Sequence, residues 1–244
     1  MDSFNFCFRQ KPKLIFIEKQ RLTSLLTCAI FAFMNKNRKA KIENDPWNKD
    51  KAVGQMAPFT PDQAGLIRSL LVAEKKIRDL ALFNMGIDTM LRASDLLPLR
   101  VIDVTDHNGD VVHEFTVRQK KTSKGHVVAL TPDTRDSVAD WMIASGKGPE
   151  DYLWTSIGNK PSVKHLSREQ YANLVKNWCY LARMNPKTHS THSVRRSKSA
   201  AIYDATHNLA ACKELLGHKN IGSTAHYLGV DQRAALELAK RVKI

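Results

Sequence analysis

Residues 188–200 read THSTHSVRRSKSA, with two histidines, two adjacent arginines, a lysine and no acidic side chain. The stretch SVRRSKSAAIYDA within and after it reads as a helix. His192 and Arg195 then stand one turn apart on the first turn and share a face. The free backbone N–H groups of a helix start add a positive field of their own. A helix that begins this way is built to meet an anion.

The rest of the chain supports that reading. Of 244 residues, 38 are Lys or Arg and 24 Asp or Glu, a net charge of +14. Residues 1–60 carry +6, residues 61–159 carry −2 and residues 160–244 carry +10, so the quoted stretch lies in the most basic block. Such a balance favours a polyanionic partner, nucleic acid or an acidic membrane face. With 43% hydrophobic residues the chain can bury a sizeable core. Cys7, Cys28, Cys179 and Cys212 stand far apart with no C-x-x-C pair, which suggests neither a zinc knuckle nor a disulfide framework and fits a reducing cytoplasm.

Near the N-terminus a basic segment precedes the apolar run LTSLLTCAIFAFM at 22–34. The run is shorter than the ~20 residues a membrane span needs, and no small-residue cleavage site follows it. We read Met34 as the native start, with 1–33 an upstream or flexible extension and 34–57 a polar, loosely docked lead-in. The compact part is expected over 58–230. It opens with Thr60 as N-cap and Pro61 in the first helical position, and a second helix runs from about Arg78 to Thr89. β-branched runs broken by Asn108-Gly109 and by Ser123-Lys124-Gly125 predict a small antiparallel sheet of three strands. From Pro132 onward the pattern is helical, ending in DQRAALELAKRVKI at 231–244. The expected fold class is mainly α with that one small sheet. Asp103, Asp106, Asn108 and Asp110 lack calcium-loop spacing and a distal Glu, so they read as a hairpin turn. His189, His192 and His218 have no suitably placed cysteine for a zinc site.

Four clusters carry the chemistry: MLRASDLLPLR with Arg92, KKTSKG with Lys121, THSVRRS with His192 and Arg195, and LLGHKNIGSTAHYLG with His218 and Tyr227. Each alone has an ordinary structural reading, such as a helix-end contact, a solvated hairpin tip or a half-buried tyrosine. Together they suit a phosphodiester attacked by a side-chain hydroxyl. Arginines bind phosphate oxygens bidentately and can hold the charge of a pentavalent transition state. A tyrosine can store the bond energy as a phosphate ester. Histidine can donate to phosphate or help remove the phenolic proton, and a lysine can protonate the leaving 5′ oxygen. No carboxylate cluster for two-metal hydrolysis is evident.

On these residues the chain resembles the tyrosine recombinase (phage integrase) family over roughly residues 58–230. LRASDLLPLR resembles its first arginine box, QKKTSKGHVVAL its β-hairpin lysine box, HSVRRS its H-x-x-R box, and LLGH followed nine residues later by Tyr its final box. The 32 residues from Arg195 to Tyr227 also match the family's interval. Where the family commonly has His after the second arginine, this chain has Arg196. It also lacks room for the usual N-terminal core-binding domain and in that respect resembles the short recombinases of fimbrial switches and mobile elements.

The resemblance implies the fold of a DNA breaking–rejoining enzyme, and a site-specific recombinase that needs no cofactor. Tyr227 would form a 3′-phosphotyrosyl link. Arg92 and Arg195 would clamp the phosphate, His192 and His218 support it, Lys121 protonate the leaving oxygen and Asp95 orient Arg92. Lys120, Lys124, Arg196, Lys198 and Lys219 are candidate DNA contacts. The implied partners are double-stranded DNA with specific sites, three further copies in a tetramer on DNA, and accessory DNA-bending proteins, with no membrane. The helix 231–244 would dock on a neighbouring subunit. The alternatives are a type IB topoisomerase-like relaxing enzyme and a non-catalytic DNA-binding regulator of the same fold.

Overall fold

The computed structural model describes residues 56–228 and Lys240, apart from Thr122 and residues 158–163. The extension 1–33, the lead-in up to residue 55 and the expected helix at 231–244, except Lys240, lie outside the described residues. Helix α1, Pro61–Ala73, starts where the sequence places it. The Thr60 hydroxyl accepts from the Gln63 amide and the Gln63 side chain accepts from the Thr60 amide, at 3.3 and 3.1 Å. This reciprocal cap satisfies two donors that the helix itself leaves free.

Helix α2, Ile77–Thr89, is the spine of the domain. Ala81, Leu82, Phe83, Met85 and Ile87 are all buried, and two later helices lie against it: α4, Pro132–Ser145, and α6, Thr191–Thr206. α6 crosses at Gly86, where an added Cβ would stand 2.9 Å from Val194 Cγ1 and 3.0 Å from Tyr171 Oη. Only a residue without a side chain lets the two backbones approach this closely. The polar side chains of α2 are paired inside the fold. Asp79 takes Arg78 at 2.6 Å and the Trp178 indole N–H at 3.1 Å, and Asp88 takes Lys198, Thr131 and Thr134. Buried carboxylates without such partners would be strongly destabilising.

After α2 come the short α3, Ala93–Leu96, and a 3-10 turn, Val101–Asp103. Strands β1, Glu114–Arg118, and β2, Gly125–Ala129, pair antiparallel with Phe115 opposite Val128 and Val117 opposite His126. Phe115, Val117 and Val128 face the core, and Glu114, Thr116 and Arg118 face out. The expected three-stranded sheet is therefore a two-stranded one among the described residues. Its first expected strand gives way to the 3-10 turn. Asp103 Oδ2 accepts the Arg100 amide at 2.8 Å, and Asp106 Oδ1 accepts the amides of Asn108 and Asp110. The amides of Val101 and Ile102 donate instead to the carbonyls of Asp151 and Pro149, and the isolated bridges Arg100–Tyr152 and Thr105–Val111 stand in place of a ladder.

Helix α5, Arg168–Leu181, begins at a second reciprocal cap, Ser167 with Gln170, and sends Tyr171, Val175 and Trp178 into the core. Two further helices follow, α7, Leu209–Leu216, and α8, Ile221–Leu228. The end of the lead-in is not loose. The Ala57 amide donates to Thr188 O, the Phe59 amide donates to Ser197 Oγ, and the Phe59 ring stacks on His189 at 4.4 Å. Residues 56–59 are thereby pinned along the start of α6.

Candidate active site

Helix ends bring the separated clusters together. α2 terminates at Met90 in a left-handed conformation, φ 49°, and Arg92 follows as the N-cap of α3. α7 terminates at Leu216, and Gly217 turns the chain at φ 61°. Arg195, 3% exposed on the first turns of α6, donates from Nη1 to the Met90 carbonyl and from Nη2 to the Leu216 carbonyl, the latter at 2.7 Å. One guanidinium thus joins two helix C-termini, whose partial negative charge suits a cation. Burial pulls its pKa down to about 10, so it remains charged at neutral pH.

Arg92 is oriented by Gln119, whose Oε1 accepts from Nη1 at 3.0 Å. Sequence reasoning assigned that task to Asp95. Asp95 is instead buried with Oδ1 accepting the Lys120 amide at 3.0 Å, so it fixes the hairpin that carries the lysines. Gln119 was missed, although it continues the inward alternation of Phe115 and Val117 and is itself buried. His126, also missed and without a sequence signal, meets the Leu215 carbonyl at 3.0 Å and ties β2 to the end of α7.

Tyr227 lies on α8 with its hydroxyl buried and without a hydrogen-bond partner among the described residues. Its ring has the Arg196 guanidinium at 5.2 Å, that of Arg195 at 6.0 Å, and the His218 ring edge-on at 5.2 Å. Burial pushes the phenol pKa up, and the charges of Arg195, Arg196 and Arg92 oppose that rise. The Arg195 guanidinium is near enough to favour the phenolate without a well-aligned hydrogen bond in this state. His218 Nδ1 meets Thr224 Oγ1 at 3.1 Å. Partial burial and then the charges of Arg195, Arg92 and Lys121 pull its pKa down to about 4. His192, at the start of α6, is shifted down by partial burial and by Arg195, Arg92 and Arg196. Both imidazoles are consequently neutral near pH 7.

Lys120, Lys121, Lys124 and Lys219 are exposed around this centre. A cleft of about 470 Å³ separates the hairpin at Gln119, Lys124 and His126 from the turn at Gly217, His218 and Lys219. Two sequence expectations change. Lys198 is in an ion pair with Asp88 at 2.8 Å, set by the depth of the α2–α6 contact, so it is a structural lysine. Arg196 is 7% exposed and donates to the Met56 carbonyl at 2.6 Å, which turns it inward. Among the described residues no carboxylate forms an ion pair with Arg92, Arg195 or Arg196. The positive charge gathered here favours an anion. No group of three or more His, Cys, Asp or Glu side chains among the described residues is placed to hold a metal.

The site has two sign-determined consequences. At Gly217 an added Cβ would meet Gln119 Nε2 at 2.5 Å in a backbone conformation that side chains avoid. Gly217→Ala should therefore displace Gln119, and with it Arg92, while lowering stability by about 1–2 kcal/mol; side-chain NMR of Arg92 and the urea midpoint would report both. The lowered pKa of His218 means that between pH 6.5 and about 4 the unfolded chain binds more protons than the folded one. Stability should fall as pH drops through that window, and His218→Gln should flatten the fall in a series of melting temperatures.

Comparison with known proteins gives the lineage of this arrangement. The model of the phage integrase family matches residues 59–233. The "Probable integrase/recombinase YoeC" of Bacillus subtilis is 23% identical over 158 residues, covering 65% of this chain and 81% of its own. A tyrosine recombinase of Pseudothermotoga lettingae is 27% identical over 157 residues, 64% of this chain and 51% of its own. The chain thus spans about half the length of some of the relatives it matches. Among solved structures, the XerH site-specific recombinase in a post-cleavage complex with palindromic difH substrate aligns at a TM-score of 0.60 and 19% identity, over 77% of this chain and 54% of that one. The Tn1549 transposon integrase in complex with transposon right-end DNA aligns at 0.60 and 18% identity, over 78% and 68%. The family model covers the helices that bear Tyr227 and Arg195 and the hairpin that bears Lys121, and the chain belongs to the phage integrase family.

Proposed function

We propose that the chain is a site-specific DNA recombinase with residues 58–230 as its catalytic unit. The observation that carries this reading is a buried tyrosine hydroxyl, with no well-aligned hydrogen bond among the described residues, set beside guanidiniums that form no carboxylate ion pair among those residues. Tyr227 Oη attacks the scissile phosphorus and the P–O5′ bond breaks, leaving a 3′-phosphotyrosyl link. The phenolic proton passes to a neutral imidazole, His192 or His218, and Lys121 gives a proton to the leaving 5′ oxygen. Arg92 and Arg195 hold the extra negative charge of the pentavalent phosphorus. The new 5′ hydroxyl of a partner duplex then reverses the steps without ATP. Strand exchange between two duplexes calls for four such sites, hence a tetramer on DNA, and the work lies where the DNA is, in the cytoplasm.

Lys120, Lys121, Lys124 and Lys219 flank the cleft and suit the phosphates on either side, a set whose binding weakens steeply with salt. Incubation with a nicked duplex carrying a site from the DNA beside the gene, resolved on a denaturing gel, tests the reading. A protease-sensitive covalent band together with recombinant joints supports it. Relaxation of supercoils with no joints would assign the site to a relaxing enzyme, and binding with no covalent band would make the protein a regulator.

A further inference from the structure

Arg196 stands where the family commonly has His, and the site described above gives it no task. Its surroundings do. The guanidinium carbon sits 5.2 Å from the Tyr227 ring centroid, nearer than that of Arg195. Nη1 is fixed by the Met56 carbonyl at 2.6 Å, and Nε is buried with no hydrogen-bond partner among the described residues. Met56 is itself held, because the next residue donates to Thr188 O and Phe59 donates to Ser197 on α6. The charge of Arg196 is therefore set against the nucleophile by the segment that enters the domain.

We infer that Arg196 is a positioning residue for Tyr227: anchored on Met56, it holds the phenol ring by its cation face and stabilises the phenolate as the proton leaves. The inference rests on Tyr227 being the nucleophile. A guanidinium beside a desolvated ring is worth more than one in water. Here it also makes up for a need that burial creates. Burial pushes the Tyr227 phenol up, and Arg196 stands with Arg195 among the charges that oppose it. The other groups facing Tyr227 are Arg195 on α6, Arg92 ahead of α3 and the neutral His218 in the α7–α8 turn. Asp95 acts on Arg195, and Lys121 on His218. None of them except Arg196 draws its orientation from residue 56. The docking of the entering segment is thereby coupled to the readiness of the nucleophile.

The test is the titration of Tyr227 in the free, full-length protein, followed by NMR with 13Cζ-labelled tyrosine and assigned by difference from Tyr227→Phe. Arg196→Gln should raise the phenol pKa by about one unit, a tenfold loss of phenolate at a given pH. Arg196→Lys should keep most of the wild-type value. Arg196→His, whose ring retains bulk but is neutral above pH 8, should follow the Gln variant and serves if that one does not fold. Equal Tyr227 titration in wild type, Gln and His variants would overturn the inference. In a parallel single-turnover cleavage assay, the rate of the Gln variant should recover toward wild type as pH rises; a pH-independent loss equal in Lys and Gln variants would mean a packing role only. Because the titration needs no DNA, its failure is separable from failure of the recombinase reading, which the wild-type covalent band reports.

Discussion

Tyr227→Phe is expected to abolish the covalent protein–DNA adduct, by more than about 10⁴-fold, while leaving the fold as stable as before or slightly more so. The two halves of that expectation have one cause. The hydroxyl is buried with no well-aligned hydrogen bond to any described residue, and Arg195 beside it is its nearest polar contact. Removing the hydroxyl sheds its desolvation cost and loses only a poorly aligned contact with Arg195, so the two nearly cancel. The ring keeps its contacts with Arg196, Arg195 and His218. A melting temperature at or above wild type, with no adduct and unchanged duplex affinity, is the predicted outcome. A marked loss of stability would mean that Tyr227 serves the core.

The second large effect is expected at Arg195. Arg195→Lys keeps the charge but loses the fork that reaches the Met90 and Leu216 carbonyls together. One helix C-terminus must then lose its cation, at about 1.5–3 kcal/mol for a charge-assisted bond. The phosphate loses a fixed planar donor, at about 10²–10³ in cleavage rate. The urea midpoint and the single-turnover rate measure the two losses. Moreover, the same substitution frees the turn at Leu216–Gly217, on which the position of His218 depends. Arg195→Lys and His218→Gln should thus be less than additive in rate, as expected for residues acting through one element.

What the sequence disclosed follows from how local each signal is. The start of α1 is written in Thr60, Pro61 and Gln63, three neighbours whose interactions complete the cap by themselves. The spacing of His192 and Arg195 is set by one helical turn, and their joint placement needed no tertiary information. Asp95 was expected to orient Arg92, and its Oδ1 accepts the Lys120 amide instead. Its pairing with the Lys120 amide spans 25 residues and depends on the hairpin's approach to α3. The third strand gave way to a 3-10 turn whose Val101 and Ile102 amides pair with the carbonyls of Asp151 and Pro149, a long-range contact that β-branched residues alone do not reveal. Lys198 and Arg196 looked like surface cations in a basic run. Tertiary contacts decide otherwise: Lys198, partly exposed, is drawn into an ion pair with Asp88, and Arg196 is buried against the segment at Met56. A run of charges on a helix has several faces, and only packing shows which one meets solvent.

The most direct test of the central claim is to locate the bond. The covalent complex would be trapped on a nicked duplex, trimmed with nuclease, digested with trypsin and sequenced by mass spectrometry. The peptide NIGSTAHYLGVDQR, residues 220–233, offers Ser223, Thr224 and Tyr227 as possible hydroxyls. The account predicts a nucleotide 3′-phosphate on Tyr227 alone. A nucleotide on Ser223, on Thr224 or on any residue outside this peptide would contradict it, as would a wild-type protein that cuts the duplex and leaves no covalent residue at all.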